Sequence, residues 1–151
     1  MLAVWLVLMV FGGCIAVGEE LWSAWQLRQA LDEYMSYDEV THFLHSVAAL
    51  APQDTDLRSI GQTEEGRHLW ALSVGTPADN VKRDEILIDA AQHAREWVAL
   101  QTALRLVYET VVFKESSLRR HFPIVHFIPL SNPDGTSLRE GTENLCVCWC
   151  V

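Results

Sequence analysis

The chain has 151 residues, with 20 acidic against 11 basic side chains and a net charge of −9. That length suits one small domain, and a hydrophobic fraction of 50% supplies enough apolar side chain for a core. The acidic balance, without a basic patch, excludes nucleic acid as a partner and says little about fold.

Residues 1–18 have the pattern of a signal peptide. An apolar run from Leu2 to Phe11 is followed by small residues at Ala16 and Gly18, the two positions a signal peptidase reads. Cleavage there leaves Glu19 as the new terminus of a secreted, extracellular chain. No basic residue precedes the run, and the run is short for a bilayer span, so no stable membrane partner is expected. A lipid-anchored Cys14 is the weaker alternative, since Phe11 rather than leucine stands three residues before it. Loss of Cys14 leaves Cys146, Cys148 and Cys150, an odd count that builds no disulfide framework. Their Cys-x-Cys-x-Cys spacing is not that of a zinc site.

Residues 19–36 form a short N-terminal segment, with a short helix expected between Glu19 and Tyr34. From Tyr37 to Leu50, Val40, Phe43, Leu44, Val47 and Leu50 recur at helical spacing. Ser36 and Glu39 form a capping box at the start, and Ala51-Pro52 ends the helix. His42 and His45, three residues apart, have the spacing of a metal pair but are read as surface or boundary residues, since no acidic or third ligand is placed with them. Asp56–Ile60 and His68–Val74 are strands joined by a turn over Thr63 to Gly66. After a polar loop over 76–83, the apolar run Glu85 to Ala91 is a central strand. An amphipathic helix follows from Trp97 to about Phe113, then a loop from Lys114 to Arg120. Phe122 to Leu130 is a second central strand, containing His126 as a satisfied internal residue. It ends in a turn over Asn132-Pro133-Asp134-Gly135, where proline presets one dihedral and glycine takes a positive one. The alternation of strand, helix and strand makes an α/β fold with a mixed, mainly parallel sheet flanked by helices.

His93 and Glu96 stand at the junction of the first central strand and its helix. Imidazole and carboxylate at that junction can converge on one point, and they are a common ligand pair for catalytic zinc. The spacing alone is also satisfied by a surface histidine and a glutamate that favours the helix dipole. The wording around the pair is more specific. His93-Ala94-Arg95-Glu96-Trp97 resembles the His-x-Arg-Glu-Trp signature of the zinc metallocarboxypeptidases, the carboxypeptidase A/B family. Ser59 to Arg67 resembles that family's Ser-Ile-Gly to Glu-Gly-Arg hairpin, and Pro129 to Gly135 its Asn-Pro-Asp-Gly strand end.

The resemblance covers 37–135, a partial catalytic domain of about the first half, with 136–151 a tail of different wording. It implies a Zn2+-dependent exopeptidase acting on peptide or protein C-termini. His93 and Glu96 would be two zinc ligands, and Arg95 would line the cleft for residues upstream of the cut. The family's third ligand is a histidine far downstream, and no histidine follows His126 here. The family's general base, oxyanion arginine, carboxylate-binding Asn-Arg pair and capping tyrosine also lie beyond the match, so no catalytic residue is assigned. The expected product is a truncated, inactive chain; the alternative is a non-catalytic secreted binding module or dead isoform of a carboxypeptidase.

Overall fold

The computed structural model describes residues 20–75, 84–113 and 116–140. The signal-peptide pattern, the polar loop over 76–83 and all four cysteines lie outside the described residues. Helix α1 (Ala24–Ala30) opens the described fold. It is shorter than the expected segment because Ser23 starts it, accepting from Gln26 N–H in a capping box with the Gln26 side chain. Helix α2 (Tyr37–Leu50) keeps its expected bounds, and the Ser36–Glu39 capping box is present. Glu39 Oε2 lies 2.8 Å from Ser36 N–H, and that bond holds its carboxyl below the ordinary range.

Strands β1 (Thr55–Gln62) and β2 (His68–Val74) form a hairpin, followed by β3 (Glu85–Asp89). Gly66, at φ +80°, turns the hairpin in a conformation that a side chain disfavours. Helix α3 (Trp97–Val112) leads from β3 towards a short helix α4 (Ser117–His121), strand β4 (Ile124–Ile128) and helix α5 (Pro133–Glu140). Two expectations are corrected here. Part of the expected loop over Lys114 to Arg120 is helical, because Ser116 caps it by accepting from Arg119 N–H. Arg119, Arg120 and His121 then complement the dipole of its last turn. The expected turn over Asn132 to Gly135 instead opens α5. Proline fits the first position of a helix, and Asn132 Oδ1 accepts from Gly135 N–H at 3.0 Å as an N-cap.

The sheet runs in the order β1-β2-β4-β3 and is mixed, as expected. Among the described strands, β1–β2 and β2–β4 pair antiparallel and β3–β4 pairs parallel. A five-residue turn over 63–67 allows β1 and β2 only an antiparallel pairing, whereas the α3 crossover permits a parallel one. The first expected central strand, β3, has one neighbour among the described strands and so stands at an edge. Its exposure alternates along the strand, and Leu87 is 58% exposed.

The helices cover one face of this sheet. Leu72, Val74, Val125 and Phe127 from the strands meet Phe43, Leu44 and Val47 of α2 and Leu100, Leu104 and Val107 of α3. Leu27 and Leu31 of α1 close the same cluster. The opposite face carries Glu85, Leu87 and His126. His126 is satisfied there, as expected: Nδ1 lies 2.8 Å from Ser73 Oγ and Nε2 2.9 Å from Glu85 Oε2. Replacing Phe127, which is fully buried at the centre of the sheet, with alanine should lower stability by about 3–5 kcal/mol. Urea unfolding followed by tryptophan fluorescence measures this; a loss below about 1 kcal/mol would contradict the assigned core.

Candidate metal centre

The junction after β3 is built by backbone geometry. The ladder with β4 runs one step past the strand, with Ala90 N–H donating to Ile128 O at 3.0 Å. Ala91 then takes φ +53°, the left-handed region, and is buried. A non-glycine residue holds that conformation only where its surroundings impose it. Ser131 N–H donates to Ala90 O at 3.1 Å from the far end of β4. Ser131 Oγ sits against the Asp89 carboxylate and 2.8 Å from Ala90 O, so its single proton serves one acceptor at a time. Gln92 Nε2 donates to Asp89 Oδ2 at 2.7 Å, and Asn132 Nδ2 donates to Gln92 O at 3.1 Å.

This bend brings His93 and Glu96 together. Glu96 N–H donates to His93 O at 3.0 Å, closing a tight turn. Glu96 is the N-cap of α3, with φ −91° and ψ 51°, and its side chain makes no capping bond. The carboxylate is therefore turned to the histidine, with Oε1 2.9 Å from His93 Nδ1. A carboxylate only accepts, so the proton of this bond sits on Nδ1. The bond to His93 holds the Glu96 carboxyl below its ordinary range; desolvation opposes it, and the charges of His93 and Arg95 assist. Both side chains are 43% exposed, so the pair is open to solvent. Arg95 is exposed beside them.

Imidazole and carboxylate at this separation are chemically suited to zinc: His93 would hold it through an unprotonated ring nitrogen and Glu96 through its carboxylate. No group of three or more His, Cys, Asp or Glu side chains gathers as a metal site among the described residues. The other histidines are engaged elsewhere. His42 packs edge-on to Trp22 and His45 to Trp70. His68 meets Ser59, and His121 lies against the carbonyl of Ser117 in its own helix.

Sequence reasoning missed what ties the start of α5 to the hairpin turn. Asp134, read as a turn residue, accepts from Thr63 Oγ1 at 2.8 Å, from the Arg67 guanidinium at 2.8 Å and from Glu65 N–H at 3.3 Å. Burial pushes its carboxyl up, but those three donors together outweigh it and leave the group below its ordinary range. The hairpin turn, the β3–α3 junction and the start of α5 thus meet in space. The signal was present, since these are the three stretches that carry the family resemblance, but which residue joins which was not visible along the chain.

The family description "Zinc carboxypeptidase" matches residues 40–146, and the chain belongs to that family. The match continues past Gly135. The inactive metallocarboxypeptidase ECM14 of Ajellomyces capsulatus (strain H143) is 32% identical over 121 residues, covering 76% of this chain and 20% of that protein. Carboxypeptidase A from Helicoverpa armigera superposes with a TM-score of 0.68 at 23% identity, covering 80% of this chain and 31% of that one. Bovine thrombin-activatable fibrinolysis inhibitor, in complex with tick carboxypeptidase inhibitor, superposes with a TM-score of 0.66 at 23% identity, covering 76% of this chain and 36% of that one. These two structures share the fold. The chain spans about a fifth of the length of the curated relative and about a third of the solved chains.

Ala91→Val should lower stability by about 1–3 kcal/mol, because a β-branched side chain resists the left-handed region; urea unfolding measures it, and a neutral result would contradict the strained bend. Asp134→Asn should cost about 1.5–3 kcal/mol near neutral pH. The sign follows from a folded carboxyl held below its unfolded value. The stabilisation is complete above the unfolded carboxylate range and is lost as pH falls through the depressed folded value. The two proteins should therefore converge in stability under acid conditions, and a pH-independent difference would argue against the charged cluster.

Proposed function

We propose that the chain is a secreted metallocarboxypeptidase-type polypeptide in which His93 and Glu96 are zinc ligands and Arg95 faces the peptide substrate. The observation that carries this reading is the 2.9 Å approach of His93 Nδ1 to Glu96 Oε1 at the carboxyl end of β3. Strand ends of this kind are where open α/β sheets hold their sites. Zinc bound there would polarise a scissile carbonyl and lower the pKa of its water. The residues of this chain would hold the metal from one side, with Glu96 as the anionic donor and His93 as the neutral one. Arg95, one residue from Glu96 and exposed, would offer a cation to carbonyls or a carboxylate of a bound peptide C-terminus.

With two ligands among the described residues, the 151-residue chain by itself binds zinc weakly and releases no C-terminal residues. A catalytic zinc takes three protein ligands and an open position. The sequence holds no histidine after His126, and that side chain is committed to Ser73 and Glu85. The similarity to a relative named an inactive metallocarboxypeptidase supports the non-catalytic reading. The apolar run Leu2 to Phe11 supports export, for which N-terminal sequencing of the exported chain should read from Glu19.

Zinc content after dialysis and peptide release by the purified chain test the proposal together. Zinc should be lost on dialysis and no free C-terminal amino acid should appear. His93→Ala should abolish the residual zinc binding seen by titration, and His126→Ala should leave it unchanged. Stoichiometric retained zinc, or sustained release of C-terminal residues, would overturn the two-ligand reading.

A further inference from the structure

Asn132 makes two different bonds with the two ends of one amide. Oδ1 accepts from Gly135 N–H at 3.0 Å, which caps α5. Nδ2 donates to Gln92 O at 3.1 Å, the carbonyl immediately before His93. The amide orientation is fixed by these partners, since only the oxygen can accept from an N–H and only the nitrogen can donate to a carbonyl. A capping residue at the start of one helix therefore also grips the loop that carries the His93–Glu96 pair.

Gly135 belongs to the same device. It is not among the positive-φ glycines, so backbone freedom does not account for it. A Cβ on Gly135 would lie 2.8 Å from both Asn132 Nδ2 and Asn132 Oδ1, and 3.0 Å from Cγ. The amide could escape such a contact by swinging away, and it would then leave both of its bonds. The absent side chain at 135 keeps the Asn132 amide in place.

We propose that Asn132 and Gly135 are a coupled positioning pair for the metal loop: Gly135 leaves room for the Asn132 amide, and that amide fixes the Gln92 carbonyl and, through it, the direction of His93. The inference rests on the zinc reading of His93 and Glu96 and deepens it. The pair touches neither metal nor substrate and acts through the loop. Groups that orient ligands in this way typically change metal affinity by about 10–100-fold when removed.

The test separates positioning from capping. Serine caps a helix about as well as asparagine, but its hydroxyl is too short to reach Gln92 O. Asn132→Ser should therefore keep the melting temperature while weakening zinc binding by about tenfold or more, read from His93 ring signals in NMR titration of the full chain with zinc chloride. Gly135→Ala should weaken zinc binding by a similar factor. Unchanged zinc affinity in both variants would overturn the proposal. A metal-free readout keeps the two readings distinguishable. Asn132→Ser should speed amide exchange at Glu96, whose N–H donates to His93 O, and leave exchange within α2 unaltered. Should the wild-type chain bind no zinc, the zinc reading falls, and faster Glu96 exchange still supports the positioning pair. Identical Glu96 exchange in variant and wild type would refute it.

Discussion

The parallel pairing of β3 with β4 is the constraint on which the rest depends. It runs from Glu85 opposite Ile124 to Asp89 opposite Ile128 and is extended by Ala90 N–H on Ile128 O. Because the two strands end level, the segments leaving them emerge side by side. Ser131 and Asn132 can then bond back to Ala90 and Gln92. That cross-bracing holds Ala91 in a disfavoured conformation and makes the bend that turns His93 onto Glu96. The contact between His93 and Glu96 is thus a property of the ladder's end and not of the His-x-x-Glu spacing alone.

The same pairing shows where the described fold is thin. Helices α1, α2 and α3 bury one sheet face thoroughly, while β3 keeps one neighbour among the described strands and exposes Leu87. An edge strand of apolar residues is a template for association. Arg119 and Asp54 form a partly buried ion pair that fastens α4 to the loop before β1.

Much of this was legible from local chemistry. The capping box at Ser36, the helical spacing from Val40 to Leu50 and the strand His68–Val74 carry their own boundaries, because side chains within a few residues decide them. What was not legible depends on partners far along the chain. Nothing near Asp134 announces that its carboxylate is claimed by Thr63 and Arg67, some seventy residues earlier. Gly135 reads locally as a turn glycine, and only the folded backbone shows that its missing side chain makes room for Asn132. Which described strands pair with which was not legible for the same reason: continuous apolar runs suggest burial on both faces but do not name neighbours. The His93–Glu96 contact joins residues three apart, yet the bend that brings them together is braced from the end of β4.

X-ray absorption at the zinc edge of the metal-loaded 151-residue chain probes the two-ligand account most directly. The account predicts one imidazole nitrogen and one carboxylate oxygen at about 2.0–2.2 Å, with water oxygens completing the shell. Thiolate sulfur at about 2.3 Å, supplied by Cys146, Cys148 or Cys150, or a second imidazole, would contradict it.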